Sequence, residues 1–193
     1  MSLSRQQFTL LGIFALFLGP VILVMLMRSS WWQYQPDGLR NRGHLVQPPT
    51  PLSLDGAEEI DHRWAILYVL EQSCDQACVE QVTSLRQIHK AAGRNREHLA
   101  VVLLSKDHPA ASQHALIEAI YSEFIWLTDE KAGALTTLDA INNKVMQDSA
   151  QANTFHTYIL DPMLNIILAY GADADPNDIH KDLTRLLKWS DQE

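Results

Sequence analysis

The chain of 193 residues has only two cysteines, which excludes a multi-disulfide scaffold and a zinc site built on two cysteine pairs. Glycine and proline number eight each. No internal repeat or low-complexity tract occurs, and no proline lies between Pro109 and Pro162. Basic side chains are the other shortage. The first 43 residues hold Arg5, Arg28, Arg40 and Arg42 against Asp37, whereas the remainder holds 11 basic and 22 acidic groups. A domain that acidic repels nucleic-acid phosphates, which argues against a general DNA or RNA binder. With 47% apolar and 20% charged residues, the composition is that of an ordinary globular chain and excludes wholesale disorder.

Residues 8–27, FTLLGIFALFLGPVILVMLM, contain no ionisable side chain. About 20 such residues at a helical rise of about 1.5 Å match a bilayer core of about 30 Å. The stretch is therefore expected to be a retained transmembrane helix. A cleaved signal peptide normally has a shorter apolar region and a small-residue cleavage pattern, which is missing before Arg28. Trp31, Trp32 and Tyr34 follow, as suits rings at a headgroup boundary, and Gly19-Pro20 is tolerable in a lipid-embedded helix. The expected organisation is a short segment 1–7, a transmembrane helix 8–27, a tether 28–51 rich in Gly and Pro, and one folded domain 52–193. The arginines flanking the span do not by themselves favour an exported domain.

Within the domain, residues 64–70 (WAILYVL) and 99–105 (LAVVLLS) are short apolar runs of buried-strand character. Residues 74–92 place Cys78, Val82, Leu85, Ile88 and Ala92 at helical spacing, closed by Gly93. Asp107 and Pro109 signal a second helix through about Tyr121. Residues 124–127 form a third strand, and Asp129 can cap a helix carrying Leu135, Leu138, Ile141 and Val145. Residues 155–160 form a fourth strand and 166–170 its hairpin partner across Asp161-Pro162; a last helix starts at Asp175-Pro176 with the stripe Ile179, Leu183, Leu186, Leu187. A short extended piece is also expected at 44–47. Strands alternating with helices, then a hairpin and a helix, predict an α/β fold: a mixed, thioredoxin-like sheet flanked by helices on both faces.

The two cysteines, Cys74 and Cys78, fall in SCDQACVEQ between a strand and a helix. Both are expected in the first turn of that helix, at i and i+4 on one face, where their Cβ atoms stand about 5–6 Å apart; a disulfide needs about 3.8 Å, so a bridge requires that turn to open or distort. Two thiolates facing one point can hold Cu(I), a soft ion content with few sulfur ligands. The helix N-terminus favours the thiolate that either chemistry needs. The plainer alternative is a pair of small buried residues or a passive bridge, and Cys78 does share a stripe with Val82 and Leu85.

Residues 43–187 resemble the Sco/SenC family of thioredoxin-like, membrane-anchored copper and redox proteins that assist assembly of the copper centre of cytochrome c oxidase. The resemblance rests on a Leu67-Tyr68-Val69 strand before Cys-x-x-x-Cys, the run Ser105, Lys106, Asp107, His108, Pro109, the strand Phe124-Ile125-Trp126-Leu127-Thr128, and a hairpin from Tyr158 to Asp161-Pro162 and Ala169-Tyr170-Gly171. It implies Cys74 and Cys78 as catalytic residues and as metal ligands for copper, taken as Cu(I). Prolines usual in the family beside the cysteines are replaced by Asp75 and Val79. Counting back from Pro162 puts the family's histidine ligand at Asn153, a poor copper ligand. His156, three residues on, is the substitute candidate, although regular alternation turns it to the opposite face from Asn153 unless the strand is bulged. The other histidines, at 44, 62, 89, 98, 108, 114 and 180, are expected at the surface, with His89 and His98 beside a solvated helix end.

Three functions follow. The first is a membrane-anchored Sco-like assembly factor that handles Cu(I) or reduces thiols, more a metallochaperone than an enzyme. Its partners would be a cytochrome c oxidase subunit or its assembly factors, and a bilayer through the N-terminal helix. The resemblance implies a single-pass protein of a bacterial-type inner membrane with the domain on the outer side. The second is a general membrane-anchored thiol-disulfide oxidoreductase, weakened by the three-residue spacing and by the lack of a proline before Phe155 that could be cis. The third is a chemically inactive binding module of the same assembly machinery.

Overall fold

A computed structural model of the chain describes Arg5, Gln7, residues 14–20, Met25 and residues 41–70, 73–148 and 154–190. The chain divides into two compact units, Met1–Arg40 and Asn41–Glu193. In the first, Arg5, Gln7, 14–20 and Met25 are helical, and Phe14, Leu16, Phe17 and Met25 are exposed. Among the described residues no helix is long and apolar enough to cross a membrane. The expected span 8–27 lies largely outside those residues, as do Trp31, Trp32 and Tyr34.

The second unit is built on a six-stranded mixed sheet. In chain order its elements are β1 (His44–Pro51), β2 (Trp64–Val69), α1 (Gln76–Ala91), β3 (Leu99–Ser105), α2 (Ala111–Ile120), β4 (Ile125–Thr128), α3 (Gly133–Asp148), β5 (Phe155–Leu160), β6 (Asn165–Gly171) and α4 (Pro176–Ser190). The strand order is β1-β6-β5-β2-β3-β4. β2, β3 and β4 are parallel, joined through helices, whereas β5 and β6 form an antiparallel hairpin beside β2 and β1 closes that edge. This is the mixed, helix-flanked sheet expected from the sequence.

The pleat sorts the apolar runs onto two faces. Ile66, Val101, Leu103 and Ile159 pack with α1, α2 and α4 through Val82, Leu85, Ile117, Ile179 and Leu183. Ala65, Leu67, Val102 and Leu160 pack with α3 through Leu138 and Ile141, and with the segment before β2 through Leu52, Leu54 and Ile60. Each fully buried Leu or Ile contributes about 1.5–3 kcal/mol by area transfer, so β3, buried along its whole length, is the sheet's firmest strand. Asp129, itself buried, accepts from Gly133 N and Leu135 N at 3.1 and 2.7 Å and so caps α3, the role its sequence position suggests.

The expected extended piece at 44–47 is a longer strand, 44–51, inside the stretch assigned to the tether. Its Pro48, Pro49 and Pro51 are compatible with the ladder because β1 is an edge strand whose register shifts between Leu45 and Thr50. The chain enters β1 at a built junction. The Asp182 carboxylate, 2% exposed, accepts from Arg42 N at 2.6 Å, Gly43 N at 3.0 Å and the Tyr170 hydroxyl at 3.0 Å. A Cβ on Gly43 would stand 2.5 Å from the Tyr170 ring, which is why glycine is needed there. Burial and the Asp182 charge together push the Tyr170 hydroxyl well above the usual phenol range.

Candidate functional site

The site forms where β2 gives way to α1. Leu70 N still bonds Leu104 O at 2.7 Å, extending the parallel ladder to the edge of the loop that carries Cys74. Asp75 is the N-cap of α1: its backbone is extended and its carboxylate accepts the Cys78 amide at 3.0 Å, while its carbonyl accepts Val79 N at 3.0 Å. Cys78 is thus the third residue of the helix, and Cys74 lies before it.

That placement corrects the expectation of two cysteines in one helical turn. Because Asp75, rather than Cys74, begins α1, Cys74 is free of helical backbone and turns back over the first turn. The two are joined in a disulfide with Cα atoms 5.1 Å apart. Cys78 is buried against Val82 and Leu85, and Cys74 is partly exposed above it.

Beside the bridge lies an open cavity of about 190 Å³, walled by Asp75, Cys78 and Gln81 from α1, Tyr68 from β2, and His156 and Thr157 from β5. Neighbours in a regular strand point to opposite faces. Here β5 carries one extra residue: Phe155 pairs with Gly171 while Thr157 pairs with Tyr170, a register shift centred on His156. The bulge brings His156 and Thr157 to the same cavity. Thr157, 1% exposed, accepts a hydrogen bond from Gln81 Nε2 at 3.4 Å, tying β5 to α1. Asn153, where the count from Pro162 was expected to place a ligand, lies outside the described residues.

Cys74, Cys78 and His156 are therefore brought to one neighbourhood, with Cys78 and His156 on the same cavity. Among the described residues no three His, Cys, Asp or Glu side chains are gathered as a metal group. In the disulfide state neither sulfur is a thiolate, so the donor set suits a soft ion only after two-electron reduction.

Sequence reasoning missed the parts played by Asp75, Gln81 and Thr157. Asp75 had a legible signal, an N-cap residue ahead of an apolar helical stripe; the other two act through a contact between α1 and β5 that lies 76 residues apart in the chain and leaves no mark in the sequence. The expectation for His89 is corrected outright. His89 is buried, its Nδ1 2.8 Å from the Tyr121 hydroxyl and its Nε2 3.0 Å from Leu99 O. It continues the 78, 82, 85 stripe by one more step of four and so faces the sheet. Desolvation holds its pKa below the usual 6.5 despite the Leu99 carbonyl, and burial likewise pushes Tyr121 up to about 12.

Among solved structures the fold is similar to copper-bound ScoI of Arabidopsis thaliana, at 16% identity and TM-score 0.52 over 73% of this chain and 98% of that one. It is similar to apo Sco1 of Thermus thermophilus, at 13% identity and TM-score 0.51 over 77% and 95%. A yeast mitochondrial 1-Cys peroxiredoxin matches as well, at 14% identity and TM-score 0.52 over 77% and 78%. No curated protein matches the sequence. At these identities the likenesses establish the thioredoxin-like fold. Residues 64–190 match the profile described as the transmembrane-like, thioredoxin-like C-terminal domain, and the chain belongs to that family.

Proposed function

We propose that this chain is a membrane-anchored, Sco-like factor in assembly of the copper centre of cytochrome c oxidase, acting through reversible thiol-disulfide exchange at Cys74 and Cys78. The observation that carries the reading is the disulfide between the chain's only cysteines, placed at a helix start with Cys74 half-buried and Cys78 buried. A thiolate on the partner attacks Cys74 Sγ, the bond to Cys78 Sγ breaks, and Cys78 leaves as a thiolate in the first turn of α1, taking its proton from water. The partner's second thiolate then displaces Cys74 Sγ, leaving a partner disulfide and the reduced pair. In reverse, Cys74 attacks a partner disulfide and Cys78 resolves the mixed disulfide, which delivers two electrons. The anchor 8–27, with the domain on the outer side of a bacterial-type inner membrane, belongs to this proposal.

Cu(I) as cargo is the companion reading, supported by the copper in similar ScoI and by His156 sharing the cavity with Cys78. Once reduced, the two sulfurs would be its ligands, with His156, on the same cavity as Cys78, the further candidate donor. Titrating Cu(I) into the reduced full-length chain, with intact mass measured reduced and oxidised, tests it. One ion bound by the parent and none by a Cys74→Ser, Cys78→Ser chain is expected; equal binding by both would remove the pair as the metal site.

A further inference from the structure

The segments that wall the cavity share one sign of charge. Residues 73–81 carry Asp75 and Glu80, residues 155–157 contain no Asp, Glu, Lys or Arg, and the connection after β6 carries Asp175. None of them contains Lys or Arg, and α1 has no basic residue before Arg86, about two turns past Cys78. Across the Gly171 turn the cations stay with their own partner, since Arg42 and Lys181 both meet Asp178, at 2.8 and 3.6 Å. Asp75 is exposed, walls the cavity itself and holds Cys78 N through Oδ1. A thiol approaching Cys74 therefore enters a negative field beside a low-dielectric wall, which speeds cations and slows anions.

Resting on the exchange chemistry proposed above, we infer that the site takes a protein segment with Lys or Arg beside its cysteines, and that Asp75 reads that charge. Anionic small thiols of the glutathione type are disfavoured by the same field. The exchange is balanced within the pair: the segment's dithiol is oxidised to its disulfide as the Cys74–Cys78 bond is reduced, and two thiol protons end on Cys74 and Cys78.

The test uses the oxidised full-length chain and two synthetic dithiol peptides of equal length, each with two cysteines three residues apart, one flanked by lysines and the other by glutamates. At low salt the lysine peptide is expected to react about tenfold faster, and the ratio to fall toward one near 0.5 M salt. Asp75→Asn keeps a good N-cap, so α1 still begins in place, and it is expected to cut the ratio by about threefold. Any effect of this substitution on Cys78 as leaving group acts on both peptides alike and cancels in the ratio. Exchange at equal rates, or faster with the glutamate peptide, overturns the inference and leaves the exchange reading standing. An unchanged ratio in Asp75→Asn overturns the role of Asp75, and no exchange with either peptide overturns the inference together with the function it rests on.

Discussion

Asp75 is the residue on which the local structure turns. By capping α1 it sets the helix start after Cys74 and so makes the bridge to Cys78 possible. Asp75→Ala should cost about 1 kcal/mol in denaturant unfolding, against a few tenths for Asp75→Asn. His89 gives a pH signature. Its pKa is lowered in the fold, so below about 6.5 the unfolded chain binds the extra proton first and stability falls as pH drops from there toward the folded value. Above that range His89 is neutral in both states and adds no slope. His89→Gln should therefore flatten the loss of unfolding midpoint between pH 7.5 and 5 relative to the parent; identical slopes would contradict the assignment.

At the scale of elements, β3 falls where its apolar run predicts, because a strand buried on both faces advertises itself by composition alone. β1 is legible only in its first half, 44–47. Three prolines in eight residues argue against a strand, and only its position at the sheet edge makes them harmless. α1 was legible in its stripe and misread at its start, since the spacing of Cys74 and Cys78 suits one helical face until Asp75 is recognised as the cap. The β5 bulge was illegible, because nothing in FHTYIL distinguishes a shifted register from a regular one. It has a measurable consequence. The extra residue is left out of the ladder, so the His156 amide should exchange with solvent at least about tenfold faster than those of Tyr158 and Ile159. Equal protection across the strand would mean a regular register, with His156 turned away from Cys78.

Across the whole molecule, Asn41–Glu193 is a unit with its own two-faced core, and the junction at Arg42 and Gly43 belongs to it. A chain cut to 41–193 should keep the stability of the domain. A chain cut to 52–193 loses β1 and strips Asp182 of two backbone donors, leaving a buried carboxylate short of partners, and should lose about 3 kcal/mol or more. Matched unfolding curves for the two would show that β1 is only the end of a tether.

The account as a whole stands on Cys74 being the sulfur that meets the partner and Cys78 the one that resolves. Incubating the full-length Cys78→Ser and Cys74→Ser chains with a peptide containing an internal disulfide, and following adducts by intact mass, tests this directly. With the peptide's freed thiol blocked by alkylation, the account predicts a mixed disulfide at Cys74 that accumulates in Cys78→Ser because no thiol is left to resolve it, and an adduct at least about tenfold slower to form in Cys74→Ser, where the remaining thiol is buried against Val82 and Leu85. Faster trapping through Cys78, or no adduct in either chain, would contradict it.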